Sequence, residues 1–317
     1  MMKRLRLFAG NSHPELAQAL AAELGIELGK MDIKRFSNGE IYVQPLESVR
    51  GCDVFVLQTA SSNVDQDMME LFVILDALKR SFATNVHVIM PHYAYARQDR
   101  VAAPREPISA RLMADLISTA GATHLITFSL HSGQTQGFFN FPVDNIHTHL
   151  MFARYFKSKG FDPENIVIVS PDAGGGKAAK RLADPLGCQI AIMNKSRPAH
   201  NEAEVTAVVG DVEGKTCIIF DDMIDTGGSV SAAHKALIAS GAHPDIYLAA
   251  THPLFSGPCV ERLNAAKFKE VVITDTLPLE GDKASVHGLK VISVAPVLSK
   301  IIQSIHAGQS VTSVWDS

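Results

Sequence analysis

Cysteine is scarce in this chain of 317 residues, and the four present, Cys52, Cys188, Cys217 and Cys259, stand far apart. They form no CxxC pair and no zinc spacing. Two of them fall in apolar, strand-like runs, where a cysteine serves as a small core residue. Long apolar runs are missing too. Nothing approaches the ~20 residues of a membrane span, and the apolar stretch between the basic start and Asn11 is only three residues, Leu7, Phe8 and Ala9, too few for a signal peptide. Nor is charge of one sign in excess: 29 Lys and Arg against 33 Asp and Glu leave a net charge of −4, which speaks against a nucleic-acid or membrane-surface binder. The expectation is a cytoplasmic protein.

What is present is alternation. "VFVLQT" precedes the helical "DMMELFVILDALKRSF"; "VHVIMPH", "ISARLMADLISTAG" and "HLITFSLH" follow. From residue 165 the pattern resumes through "NIVIVS", "GGGKAAKRLADPLG", "QIAIMN", "TCIIFDD", "SVSAAHKALIASG", "IYLAATHP" and "KEVVITDT". Strands alternating with helices predict an α/β fold of mostly parallel sheets covered on both faces. At ~100–200 residues per domain the length suggests two domains. An echo between "GCDVFVLQTASS" and "GKTCIIFDDMID" suggests that the two doubly wound halves are similar. The expected division is 1–147 and 148–300, with 301–317 as a C-terminal tail.

One stretch poses a chemical question. "CIIFDDMIDTGGSV" takes an apolar strand into Asp221, Asp222 and Asp225, and then into Thr226, Gly227, Gly228 and Ser229. Ligands of open α/β sheets sit beyond the carboxyl ends of the strands. Two glycines let backbone amides converge on an anion, two hydroxyls add donors, and a following helix contributes its positive end. Ionised aspartates cannot take phosphate, but they accept hydrogen bonds from sugar hydroxyls or hold magnesium through water. A sugar phosphate with a metal satisfies both halves of the segment.

This loop resembles the ribose-phosphate loop of the phosphoribosyl-pyrophosphate (PRPP) fold. It occurs with "RFSNGEIYVQ", "HYAYARQDR", "SLHSGQTQGFFNFPVDN", "VSPDAGGGKAAKRLA" and "NKSRPAHNEAEV", in that order. Together the set resembles the ribose-phosphate pyrophosphokinases, or PRPP synthetases, along essentially the whole chain. The resemblance implies a duplicated phosphoribosyltransferase-like fold and transfer of pyrophosphate from Mg-ATP to the C1 hydroxyl of ribose 5-phosphate, giving PRPP and AMP.

It also implies roles by position. Asp221, Asp222, Asp225, Thr226, Gly227, Gly228 and Ser229 match the ribose 5-phosphate site, with Arg197 as a further contact. Phe36, Asn38, Gly39 and Glu40 match a nucleotide-binding segment, with an aromatic ring to stack on a base and an amide and a carboxylate to read its edge. Taken alone, "FSNGE" is an Asn-Gly turn. Arg97, Gln98 and Arg100 match the partner ATP segment. His131 and Asp172 match Mg²⁺ ligands, and Lys195 with Arg197 matches the catalytic loop. No side chain stands out as a general base.

The sequence departs from the family at Ser129 and Asn140, where an Asp is common, which puts metal stoichiometry in question. Val101 and Ala103 stand where many members carry basic residues, which does the same for phosphate activation and ADP inhibition. At Gly176 bulkier residues are also seen. The family assembles from dimers into hexamers, so a homo-oligomer is expected. A non-catalytic regulatory homologue and a phosphoribosyltransferase are the rival readings.

Overall fold

A computed structural model describes residues 4–196 and 205–312, with backbone alone at 195–196 and 205–206. The chain forms two compact units. The first runs to His147 and takes in Thr276–Pro278 and the segment from Ser293 onward; the second comprises Thr148–Asp275 and Leu279–Ile292.

In the first unit, β1 (Leu5–Ala9), α1 (Pro14–Leu24), the hairpin of β2 (Met31–Arg35) and β3 (Ile41–Pro45), and β4 (Asp53–Leu57) come first. They are followed by α2 (Val64–Arg80), β5 (Asn85–Ile89), α3 (Ser109–Ala120), β6 (His124–Phe128) and β7 (Val143–Ile146). Strands β1-β4-β5-β6-β7 make a five-stranded sheet, parallel throughout. On one face Val54, Val56, Val86, Val88 and Leu125 pack on Leu71, Ile74, Leu75 and Leu78 of α2 and Ala110, Ala114 and Ile117 of α3. Spacings of two in the strands and of three and four in the helices bring these residues to one face.

The second unit is built from α4 (His149–Lys157), β8 (Ile166–Ser170), α5 (Gly176–Leu186), β9 (Gln189–Ser196), β10 (Val205–Val209) and β11 (Thr216–Ile224). It continues with α6 (Gly228–Ala239), β12 (Tyr247–Pro253), α7 (Cys259–Ala266), β13 (Glu270–Thr274) and β14 (Leu289–Ile292). Its sheet has seven strands ordered β10-β9-β8-β11-β12-β13-β14, and only the β9–β10 pair is antiparallel.

Alternation decides which helices cover which face. Cys217 and Ile219 point with Val167, Val169, Leu248 and Ala250 toward Val230, Ala233 and Leu237 of α6 and Cys259 and Leu263 of α7. Ile218 and Phe220 point with Ile166 and Ile168 toward Phe152 and Phe156 of α4 and Ala179, Leu182 and Ala183 of α5. This is a doubly wound sheet, as the alternation of the sequence predicts. Burial pushes the thiols of Cys217 and Cys259 up to about 12, which makes both inert core residues.

The chain ends with α8 (Ala295–His306). Residues 293–300 fall within the span assigned above to the second domain, yet this helix belongs to the first unit and packs on α1. There Ser299 Oγ donates to the Glu23 carbonyl oxygen at 3.2 Å. Among the described residues no helix is long and apolar enough to cross a membrane.

Candidate active site

The acidic strand runs further than its apolar core suggests. β11 continues through Asp221 and Asp222 to Ile224, because Asp221 pairs with Ala250 and Met223 with His252 on β12. The two aspartates are therefore strand residues near the carboxyl edge, not members of a loop. Asp225, Thr226 and Gly227 make the turn, and Gly228 opens α6. Gly227 has φ of 73°, which only glycine adopts without strain, and a Cβ there would lie 3.2 Å from Cys259 Sγ. Loop 254–258 braces this turn, since Phe255 N–H donates to the Ile224 carbonyl at 3.0 Å and Ser256 N–H to the Asp225 carbonyl at 2.9 Å.

The loop after β8 reaches the same edge. Asp172 is exposed; its Oδ1 accepts the Gly175 N–H at 2.9 Å, and its carbonyl accepts the Ser170 hydroxyl at 2.6 Å. These bonds shape the turn into α5. A Cβ at Gly175 would fall 2.5 Å from Ser170 Oγ, and one at Gly176 would fall 3.2 Å from Ile192 Cδ1, so β9 leaves little room at Gly176.

Strand β8 leads to β9 on one side and has β11 on the other, so the order reverses at β8. The crevice outside the carboxyl ends of strands at such a reversal is the ligand position of open α/β sheets. Along it stand the backbone of Lys195 near the end of β9, Asp172 after β8, and Asp221 on β11.

The electrostatics of this edge are strained. Burial holds the Asp221 carboxyl well above the usual carboxylate range, with the adjacent Asp222 pushing in the same direction and Asp172 adding a smaller push. A site that resists its own negative charge favours a ligand presenting hydroxyl donors or a cation.

In the first unit the two segments matched to ATP meet at the start of α2. Arg35 Nη1 donates to the Gly39 carbonyl at 2.8 Å and its Nη2 to Gln66 Oε1 at 3.0 Å, fixing the β2–β3 turn to that helix. One residue before, Asp65 accepts the Tyr95 hydroxyl, which ties down the loop carrying Arg97, Gln98 and Arg100. In the turn Phe36 is 52% exposed and meets Tyr42 edge-on at 5.7 Å. Asn38 Oδ1 accepts the Glu40 N–H at 3.2 Å, and Gly39 has φ of 91°. Phe36, Asn38, Glu40, Arg97, Gln98 and Arg100 are all exposed. An exposed ring with an exposed amide and carboxylate in one turn suits a base, and the exposed guanidiniums of Arg97 and Arg100 on the other segment suit a polyphosphate. Arg35, Gln66, Tyr95 and Asp65 escaped the reading of the sequence; no local spacing marks contacts made across 30 residues.

His131 is exposed in the turn after β6, before the 3₁₀ helix Gly133–Phe138. Ser129 has φ of 38°, and its N–H donates to the Ile146 carbonyl at 2.8 Å. Asn140 is exposed. Arg197 lies outside the described residues. Among the described residues no three His, Cys, Asp or Glu side chains gather to hold a metal. Exposed single donors such as Asp172 and His131 fit magnesium, which keeps several waters and takes phosphate oxygens from its substrate, and do not fit a closed protein cage.

Mostly parallel sheets, with an acidic strand that turns through glycines into a helix beside a strand-order reversal, define an α/β protein whose ligand site lies at the carboxyl ends of its strands. Comparison with known proteins narrows this. The N-terminal domain of ribose phosphate pyrophosphokinase matches residues 5–121, and the phosphoribosyl synthetase-associated domain matches residues 195–316. A ribose-phosphate pyrophosphokinase of Oceanobacillus iheyensis is 46% identical over 312 residues, 98% of this chain and 97% of that one. One from Bacillus subtilis is 46% identical over 310 residues, 98% and 96% of the two chains. The crystal structure of a phosphoribosylpyrophosphate synthetase from Mycobacterium smegmatis superposes with a TM-score of 0.91 at 44% identity, covering 96% of this chain and all of the other. The chain belongs to the ribose-phosphate pyrophosphokinase family.

Proposed function

We propose that this protein transfers pyrophosphate from Mg-ATP to the C1 hydroxyl of ribose 5-phosphate, releasing PRPP and AMP. The observation that carries the reading is the edge of the second unit, where Asp221 and Asp222 precede a glycine turn that opens α6. It offers acceptors for the sugar hydroxyls beside amide donors for the 5-phosphate, in a chain of this family.

Asp221, Asp222 and Asp225 accept hydrogen bonds from the ribose hydroxyls, and the amides and hydroxyls of Thr226, Gly227, Gly228 and Ser229 take the phosphate. Phe36 stacks on adenine while Asn38 and Glu40 read its edge, with the open backbone at Gly39 allowing close approach. Arg97, Gln98 and Arg100 hold the triphosphate. His131 and Asp172 are each candidate ligands that would hold Mg²⁺, which would neutralise charge on the triphosphate. Ser129 and Asn140 lower the number of carboxylates available for a further cation.

In the reaction the C1 oxygen bonds to the β-phosphorus as the bond from that phosphorus to the α–β bridging oxygen breaks. The bridging oxygen departs on AMP, and the hydroxyl proton passes to solvent. Lys195 and Arg197 stabilise the charge on the migrating group, so positioning and electrostatics supply most of the acceleration. The protein works in the cytoplasm as a homo-oligomer, a dimer-based hexamer in the manner of the family.

The test is purified protein with Mg-ATP and ribose 5-phosphate, scored for AMP and PRPP. AMP formed only in the presence of the sugar phosphate supports the reading. Absence of turnover points to a regulatory homologue, and consumption of supplied PRPP with a nucleobase points to a phosphoribosyltransferase.

A further inference from the structure

The segment that receives the sugar phosphate lacks a cation of its own. From Asp221 to Ser229 it carries three carboxylates and no Lys or Arg. A phosphate dianion brought to it meets amide donors but also like charge, and amides alone oppose that weakly.

The structure places a guanidinium there from elsewhere in the same unit. Arg262, an exposed residue of α7, donates from Nη1 to the Thr226 carbonyl oxygen at 3.0 Å. The same Nη1 lies 3.6 Å from where a side chain on Gly228 would begin, beside the first residue of α6. Its charge is felt at Cys259, where it opposes the effect of Asp225. Arg262 thus stands against both ends of the Thr226–Gly228 turn.

Its location is electrostatically odd. The amino end of a helix carries partial positive charge, and cations are favoured at the other end. α6 is 12 residues long, so the effect is fully developed. A guanidinium fixed at that end raises the local potential further. One bond to a carbonyl offsets part of the cost and leaves the remaining N–H donors of the fork for an anion. The bond also holds the Thr226 peptide in one orientation.

We infer that Arg262 is a positioning residue for ribose 5-phosphate, holding the Thr226–Gly228 turn in its phosphate-binding shape and adding the positive charge that the acidic segment lacks. This rests on the function proposed above and adds a residue and a task to it. α7 is then part of the sugar-phosphate site, and a change at position 262 reads out on the phosphate end of the substrate and not on the nucleotide.

The experiment uses the full chain and the variants Arg262→Ala and Arg262→Lys. Arg262→Ala is expected to raise the KM for ribose 5-phosphate about tenfold or more, the loss typical of one charge-assisted hydrogen bond. The KM for ATP is expected to stay within about twofold, and Arg262→Lys to recover part of the loss, since it keeps the charge without the fork. Hydrogen exchange at amides 226–230, followed against ribose 5-phosphate and against ribose, gives a readout independent of turnover. Protection by the sugar phosphate and not by ribose should appear in the parent protein and need about tenfold more ligand in Arg262→Ala. Equal changes in both KM values, or unchanged protection, overturn the assignment, as does a parent protein that ribose 5-phosphate does not protect. A parent that is protected but forms no AMP refutes the catalytic reading and leaves Arg262 in its place.

Discussion

The backbone N–H of Asp222 donates to Oδ1 of its neighbour Asp221 at 2.9 Å, yet that bond does not restore an ordinary acidity to Asp221. Burial first and the Asp222 charge second keep the carboxyl above its usual range. Its folded pKa is therefore higher than its value of ~4 in an unfolded chain. Below that unfolded value the group contributes its full stability; the contribution is lost as pH rises toward the folded value. Asp221→Asn removes the penalty. In metal-free buffer at pH 7 its melting temperature should exceed that of the parent by a few degrees, with the gap closing as pH falls toward ~4. The kcat/KM for ribose 5-phosphate should fall about tenfold or more, because a charged acceptor for a sugar hydroxyl becomes a neutral one. Thermal melts across pH, paired with kinetics, check both.

Gly227 is constrained by its backbone and by its neighbour. Gly227→Ala combines a φ of 73° with a Cβ 3.2 Å from Cys259 Sγ, so unfolding in urea should show a loss above the ~1 kcal/mol of a left-handed alanine alone. Gly214→Ala is the control, having φ of 67° with nothing within 4 Å of the added carbon. It should lose only the backbone part and keep its KM for ribose 5-phosphate, whereas Gly227→Ala should raise that KM.

Asp172 allows the charge to be separated from the loop. In Asp172→Asn the amide oxygen can still accept the Gly175 N–H that the carboxylate accepts at 2.9 Å, so the turn should survive. The Mg²⁺ concentration for half-maximal activity should rise several-fold, with little change in melting temperature. A magnesium titration after removal of metal by a chelator checks this. An unchanged requirement would take Asp172 out of the metal site.

Lys195 lies near the carboxyl end of β9, three positions beyond the residue that pairs with Ser170. Lys195→Ala should lower kcat by about two orders of magnitude or more while the KM for ribose 5-phosphate changes modestly, the pattern of an interaction made in the transition state. Steady-state kinetics with saturating ATP decide it; a near-normal kcat would remove this residue from the chemistry.

How much of this was legible beforehand depended on how local each determinant is. The uninterrupted apolar run Cys217, Ile218, Ile219 and Phe220 was legible as a core strand, and the structure divides it between two helix layers, alternate residues to each. The glycine turn into α6 was legible because positive φ and converging amides demand glycine at specific positions. The end of β11 was not, since Asp221 and Asp222 read as loop residues until β12 supplies their pairing through Ala250 and His252. Nor was the return of α8 to the first unit, because its apolar stripe suits any complementary face and only α1 decides which one it meets.

Taken alone, then, the sequence determined the doubly wound architecture and the residue types of the acidic, glycine-rich edge, because both follow from periodicity and from short-range stereochemistry. The tertiary structure decided which distant groups stand against those segments. Arg262 reaches Thr226 across 36 positions, and Asp65 and Gln66 gather two remote segments at the start of α2. Such partners are chosen by the packing of helices on a sheet, and that packing depends on the folded shape as a whole and not on any local run of residues.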